Sequence, residues 1–367
     1  MSATVLITTT INVPHVLLGY ARDAQAHGQN IKIIVTGDRK TPVAAADLCA
    51  QVERETKIAC EYMDPQAQTA WMRQYPQLDA HLPWDCVQRR NVAILKAVAD
   101  GAEVVVTIDD DNFLACENYF AGHAACGSTA TLDTYGDAGA WFNVCRFLQE
   151  ESGRQFFARG YGIAARRLAE DTPPPAVPCE KRIAVNAGLW LGDPDIDAAT
   201  RISMPINATA YTRDKQENFF VASGAWTPFN SQNTALAREV LPAYFLSPYV
   251  GRYDDIFISF FVKRIADHLG QGISFGAPLV RQERNEHNLL NDLALEYLGT
   301  KITDTLITAL SEATLQGTGY GECLLELALH CEQALRTAEM TLLERAQMSA
   351  FFAGCRVWAT LPLWQGK

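Results

Sequence analysis

Positive charge is scarce in this chain. Its 31 Lys and Arg face 42 Asp and Glu, a formal net charge of −11. That excludes general binding to nucleic acid or to anionic membrane surfaces, so a nucleotide-sized anion would have to be met by local arginines and lysines. No stretch approaches the roughly 18 consecutive apolar residues of a membrane span. The first residues, MSATVLITTT, lack the basic and long apolar segments of a secretory leader. The ten cysteines contain no Cys-x-x-Cys pair and no regular spacing. This argues against a zinc site or a disulfide framework, and for the reduced, mostly buried thiols of a cytoplasmic protein. The Asn207-Ala-Thr sequon is then incidental. No internal repeat is visible. With 367 residues and 48% hydrophobic content, the chain is long enough for one large or two ordinary domains with a full core.

Against this background one stretch stands out, V104-V-V-T-I-D-D-D-N112. The apolar run reads as a core strand of a parallel sheet. It ends in Asp109, Asp110 and Asp111, with no Lys or Arg beside them in sequence. Ligands of open α/β sheets gather at the carboxyl ends of strands, and clustered carboxylates are costly without a balancing cation. A helix cap needs one aspartate, not three. Strand alternation sends Asp109 and Asp111 to one side and Asp110 to the other. Hard oxygen ligands suit Mg²⁺ or Mn²⁺ held together with substrate phosphates.

The stretches 4–10 and 31–36 read as β-branched strands around a helix over 14–27, a βαβ opening. Helical patterns follow over 43–55 and 86–100, so residues 1–112 read as a nucleotide-binding α/β half. Residues 171–178 (DTPPPAVP) predict a rigid extended connector. Strands are predicted over 183–191 and 273–280, a strong helix over 255–268, and helices from about 301 to the end that serve packing or contact between copies.

Several polar clusters could serve a ligand. Thr8, Thr9 and Thr10 lie at the end of the first strand and Asp38 at the end of the second, where they either meet a nucleoside or simply shape a turn. Gln88-Arg89-Arg90-Asn91 brings two guanidiniums to a helix start, suited to phosphate oxygens. Arg159 and Arg166 flank a Gly-Tyr-Gly hinge that reads as a loop. Of Asp254 and Asp255, one is expected to cap the following helix and the other to be free for a proton or a sugar hydroxyl. Arg281, Arg284 and His287 form a polar run after a strand, suggestive of a diphosphate site.

Together these segments resemble one family. The IDDDN run is similar to the aspartate motif of metal-dependent glycosyltransferases with the GT-A fold. ARGYGIAAR (158–166), GLWLGDPDIDAAT (188–200), NTALARE (233–239), GRYDD (251–255) and DHLGQG (267–272) resemble, in order, the reversibly glycosylated polypeptides, the UDP-arabinopyranose mutases of plants. The resemblance covers about 85–300. It departs at Asn112, where the plant pattern has Cys, in the Pro-rich linker, and in the C-terminal part.

The resemblance implies an α/β fold, a GT-A-like Rossmann-type mixed sheet flanked by helices, over residues 1–300, with a helical extension over 301–367. It implies a UDP-sugar as substrate and Mn²⁺ or Mg²⁺ held by Asp109 and Asp111, with His287 as a further ligand. Asp38 and Asn91 would read the nucleoside. Thr8, Asp110, Arg89, Arg90, Arg281 and Arg284 complete the nucleotide-binding set. Arg159 would be the reversibly glycosylated residue, Arg166 a second arginine needed for activity, and Asp254 or Asp255 the group meeting the sugar. Three functions share this site: a mutase that glycosylates itself, a glycosyltransferase with a separate small-molecule or glycan acceptor, and an inactive UDP-sugar-binding scaffold.

Overall fold

The computed structural model describes residues 4–168, 175–213, 217–285 and 288–365. Its centre is a 12-stranded mixed sheet. The parallel strands are β1 (Thr4–Thr10), β2 (Ile31–Gly37), β3 (Ala59–Met63) and β4 (Val104–Ile108), in the order β3-β2-β1-β4. Their β-branched residues are buried on both faces, because helices α1 (Val16–Ala26), α2 (Ala44–Thr56) and α3 (Arg90–Ala99) connect them. The βαβ opening expected from the apolar pattern is therefore present.

Beyond β4 the sheet turns mixed. The remaining strands are β5 (Asn112–Leu114), β6 (Thr129–Tyr135), β7 (Leu148–Glu150), β8 (Val177–Gly192), β9 (Ala208–Tyr211), β10 (Phe219–Val221), β11 (Asn233–Ala237) and β12 (Gly272–Gln282). β11 runs antiparallel to both β4 and β8, with Asn233 opposite Ile108. β12 runs parallel to β8, and β5 pairs back onto its end. β8 starts at Val177, so the end of the predicted Pro-rich connector is already strand. Residues 171–174 of that connector lie outside the described residues.

Helix α4 (Asp254–His268) packs one side of this half almost wholly buried. Helices α5 (Leu289–Glu312), α6 (Tyr320–Ala334) and α7 (Leu342–Ala359) follow. They join the same core: Trp358 is fully buried, packs tilted against Phe245 and donates its indole N–H to the Leu241 carbonyl at 2.8 Å. A division at residue 300 falls inside α5. All ten cysteines are free thiols. Among the described residues no helix is long and apolar enough to cross a membrane.

Candidate active site

The carboxyl ends of β1 and β4, the start of α4, the end of β12 and the loops before β11 and around residue 159 surround a cleft of about 670 Å³. Among the described residues it is lined by seven aspartates (Asp85, Asp109, Asp110, Asp111, Asp195, Asp254 and Asp255) and four arginines (Arg90, Arg159, Arg252 and Arg284), with no lysine. The excess of acid leaves room for a bound cation.

At one pole β4 stops at Ile108, and the aspartates lie on a tight turn closed by Asn112 N–H to Asp109 O at 3.3 Å. Strand alternation therefore does not apply, and all three side chains line the cleft. Nor is the cluster without a cation in space. Arg90 Nη2 reaches Asp109 Oδ1 at 2.6 Å, and its Nη1 braces Ser231. Asp110 accepts from the Thr10 hydroxyl and from Asn12. Asp111 accepts from Gln282 Nε2 at 3.4 Å and from the Asn285 main-chain N–H at 3.2 Å. Burial raises both Asp110 and Asp111. The neighbouring Asp109 charge adds to this, and Asp111 is pushed up to about 7.

The opposite pole is built on Arg159. Its Nε and Nη2 form a parallel fork onto the two oxygens of Asp195, both at 2.9 Å. Nη1 bonds the Arg252 carbonyl and reaches Asp255 Oδ1 at 3.2 Å. The Arg159 main-chain N–H also donates to the Asp195 carbonyl at 2.9 Å. Burial opposes both charges, but it is outweighed by the fork together with Asp255 beside the guanidinium and Asn230 and Arg252 beside the carboxyl. The guanidinium is held well above its ordinary range and the Asp195 carboxyl well below its own. Two glycines allow the loops to meet. Gly160 (φ +89°) sits where a Cβ would strike Ile256, and Gly251 (φ +59°) where one would strike the Leu295 carbonyl.

Asp254 and Asp255 open α4, but neither caps it; the N-cap position is Tyr253 and no side-chain cap bond forms. Asp254 accepts from Gln88 Nε2 at 2.8 Å, and Asp255 accepts from the Ser231 main-chain N–H at 2.9 Å. Burial, then the Asp255 charge, pushes Asp254 up to about 7. Arg284 contributes a guanidinium whose buried Nε has no partner. Burial, then Arg201 and Arg252, lowers its proton affinity, so an anion in the cleft would relieve it.

The structure thus brings Arg90, Asp109, Asp110, Asp111, Arg159, Asp254, Asp255 and Arg284 to one cleft, while Thr8, Asp38, Arg89, Asn91, Arg166 and Arg281 do not line it. Thr8 is fully buried in β1. Both oxygens of Asp38 are taken by main-chain N–H groups, of Arg39 at 2.7 Å and of Cys86 at 3.1 Å, which makes it a turn residue. Arg89 lies on a different face from Arg90 at the helix start, since the helical period of 3.6 separates neighbours by about 100°. It bonds Gln68 and the Leu82 carbonyl beneath Trp84. Asn91 braces Gln88 and Leu246 inside the core. Arg166 pairs with Asp197 at 2.8 Å, away from the cleft lining. Arg281 is exposed on β12. His287 lies outside the described residues.

Asp195 was missed, although it stands in the GLWLGDPDIDAAT segment. Nothing in one sequence marks which of its aspartates meets an arginine 36 positions earlier. Asn230, Gln232 and Gln282, which line or floor the cleft, were missed too, because lone amides carry no spacing signal.

A model of the reversibly glycosylated polypeptide family matches residues 157–362, more than half of the chain. The chain belongs to the reversibly glycosylated polypeptide family. The match starts later than the expected 85 and, unlike the expectation, runs through the C-terminal helices. A probable UDP-arabinopyranose mutase 2 of Solanum tuberosum is 30% identical over 191 residues, covering 50% of this chain and 48% of that protein. UDP-arabinopyranose mutase 3 of Arabidopsis thaliana is 32% identical over 180 residues, 47% of this chain and 46% of its own length. The chain spans about half the length of the curated relatives it matches. Among solved structures, S. aureus TarS 1–349 aligns with 95% of this chain and 77% of its own at 10% identity and a TM-score of 0.36. The mannosyltransferase PcManGT of Pyrobaculum calidifontis, solved with GDP-Man and Mn²⁺, aligns with 100% and 88% at 10% identity and 0.34.

Proposed function

We propose that the protein is a UDP-sugar-dependent enzyme that breaks and remakes a glycosyl–phosphate bond, most like a mutase in which the sugar rests on Arg159. The observation that carries this reading is the two-pole cleft: an aspartate turn at one end of β4 facing an arginine held in a carboxylate fork. The donor set fits a divalent cation. Among the described residues no three acids converge into a protein-only cage, but two carboxylates completed by diphosphate oxygens suit Mn²⁺ or Mg²⁺. Asp109 and Asp111 would hold that ion, which supplies Lewis-acid stabilisation of the leaving diphosphate. Arg284 and Arg90 support the same charge.

In the proposed step the anomeric C–O bond breaks and its electron pair leaves on UDP. An Arg159 nitrogen forms the new C–N bond and gives up a proton. A guanidinium stays protonated at neutral pH, so a carboxylate must accept that proton. Asp195 and Asp255 touch the guanidinium, and burial pushes the neighbouring Asp254 carboxyl up to about 7. While the sugar rests on Arg159, the ring oxygen leaves the anomeric carbon and takes up a proton, and another sugar hydroxyl bonds that carbon and loses one. Return of UDP then breaks the C–N bond, re-forms the glycosyl–phosphate bond and restores the proton to Arg159.

A glycosyltransferase reading is favoured by one observation, the saturation of Arg159 by Asp195, Asp255 and the Arg252 carbonyl. There Arg159 only binds, and the sugar passes to a separate hydroxyl with Asp254 as base. Incubation with a panel of UDP-sugars and Mn²⁺, followed by product analysis, separates the two. An isomerised UDP-sugar without any acceptor supports the mutase; turnover that requires an added acceptor supports the transferase.

A further inference from the structure

Beneath the cleft a chain of side-chain amides joins its two poles. Asn230 Nδ2 donates to Asp195 Oδ2 at 2.8 Å and to Gln232 Oε1 at 3.1 Å. Gln232 Nε2 donates to the Gln282 side-chain carbonyl and, at 3.3 Å, to Asn112 Oδ1. Gln282 Nε2 donates to Asp111 Oδ1. Every member is more than nine-tenths buried. The links come from the loop before β11, the end of β12, the turn after β4 and the loop after β8, so the chain spans separate elements.

Gln232 is its centre. Its main-chain N–H donates to Asn230 Oδ1 at 3.2 Å and its carbonyl accepts from Asn112 Nδ2 at 2.6 Å. These bonds fix which end of its amide faces which neighbour. A flip would set its NH₂ against the Asn230 NH₂, and its oxygen against those of Gln282 and Asn112. Amides do not titrate in this range, so the chain carries position rather than protons. A buried polar network is costly unless every member is satisfied, and an apolar filling would serve stability as well. Its cost is explained if the spacing of the poles matters.

We propose that Gln232 is a positioning residue that holds the Arg159–Asp195 fork and the Asp111 carboxylate at one fixed separation for the nucleotide-sugar reaction. It rests on the proposed function and adds to it a residue that acts through both poles. The test uses the full chain as wild type, Gln232→Met, Asp195→Asn and the double variant. Gln232→Met keeps the volume and removes the amide. It is expected to keep a cooperative melt and to lose between about 10- and 100-fold in kcat, with KM for the UDP-sugar changing by less than about threefold. Because the two residues act through one network, the double variant should be little worse than the worse single one. Wild-type kcat in Gln232→Met, or losses that multiply in the double variant, would overturn the proposal. If Gln232→Met does not fold, Gln282→Met breaks the next link and is read the same way. If the wild type turns over no nucleotide sugar, the functional reading fails by itself. A crystal structure of Gln232→Met then decides: displaced Asp195 and Asp111 side chains support the proposal, and unmoved ones overturn it.

Discussion

Replacing Asp195 by Asn is the sharpest perturbation of the arginine pole. The two side chains of the fork are each 8% exposed, so solvent screens the pair little. Breaking such a buried pair costs about 3–5 kcal/mol, mostly from the charge left behind. Asn keeps one acceptor oxygen, and Arg159 keeps Asp255 and the Arg252 carbonyl, which points to the lower end, about 3 kcal/mol. In a chain of this length about 1 kcal/mol moves Tm by roughly 2 °C, so a fall of about 6 °C is expected. Turnover should drop by about 100-fold or more, since a misplacement near 1 Å at the reacting group has that effect. The sign with pH follows from the depressed Asp195 pKa. Its stabilisation is complete above the unfolded value of about 3.9 and is lost as pH falls through the lower folded value. The gap in Tm between wild type and Asp195→Asn should therefore close on acidification below about pH 4. Scanning calorimetry across pH, with a turnover assay at neutrality, reads both quantities. A variant with wild-type Tm and turnover, or a gap unchanged at low pH, would refute the role of the fork.

Asp254→Asn should move stability in the opposite sense. Its folded pKa of about 7 lies above the unfolded one, so the wild type loses stability as pH rises from about 4 to 7. The urea midpoint of the variant should exceed that of the wild type at pH 8 but not near pH 4; equal midpoints at both would show that Asp254 titrates normally. Asp111→Asn should leave the fold intact and nearly abolish turnover, and wild-type activity in Mn²⁺ would remove Asp111 as a ligand. UDP at 100 times its Kd should stabilise by about 2.7 kcal/mol with Mn²⁺ present. It should do much less with EDTA, and equal stabilisation would take the metal out of the reading. Trp358→Ala should cost about 3–5 kcal/mol, because the C-terminal helices share the main core; a near-wild-type urea midpoint would contradict that packing.

What the sequence reveals here depends on local order. The β-branched runs of β1, β2 and β4 and the apolar faces of α1 and α4 have strong periodicity, and these elements stand where the pattern puts them. The aspartate turn was legible because three adjacent carboxylates have no cheap structural use. Strands such as β11 (NTALA) and β6 (TATLDTY) lack an apolar signature; sheet pairing makes them strands. The side each polar residue faces was not legible either. Arg89 and Arg90 are adjacent, yet one braces the core and the other meets Asp109. Asp38 was taken by backbone amides that one sequence cannot place. The Arg159–Asp195 pair joins two loops, and its partner choice is set by tertiary packing alone.

The central claim is that Arg159 carries the sugar, and intact-protein mass spectrometry tests it most directly. The purified protein is incubated with the UDP-sugars it turns over and Mn²⁺, quenched at a series of times, and digested to map any added mass. The account predicts one sugar mass on the peptide bearing Arg159, its removal by excess UDP, and its absence in Arg159→Ala. Turnover of a UDP-sugar with no adduct at any quench time would contradict it.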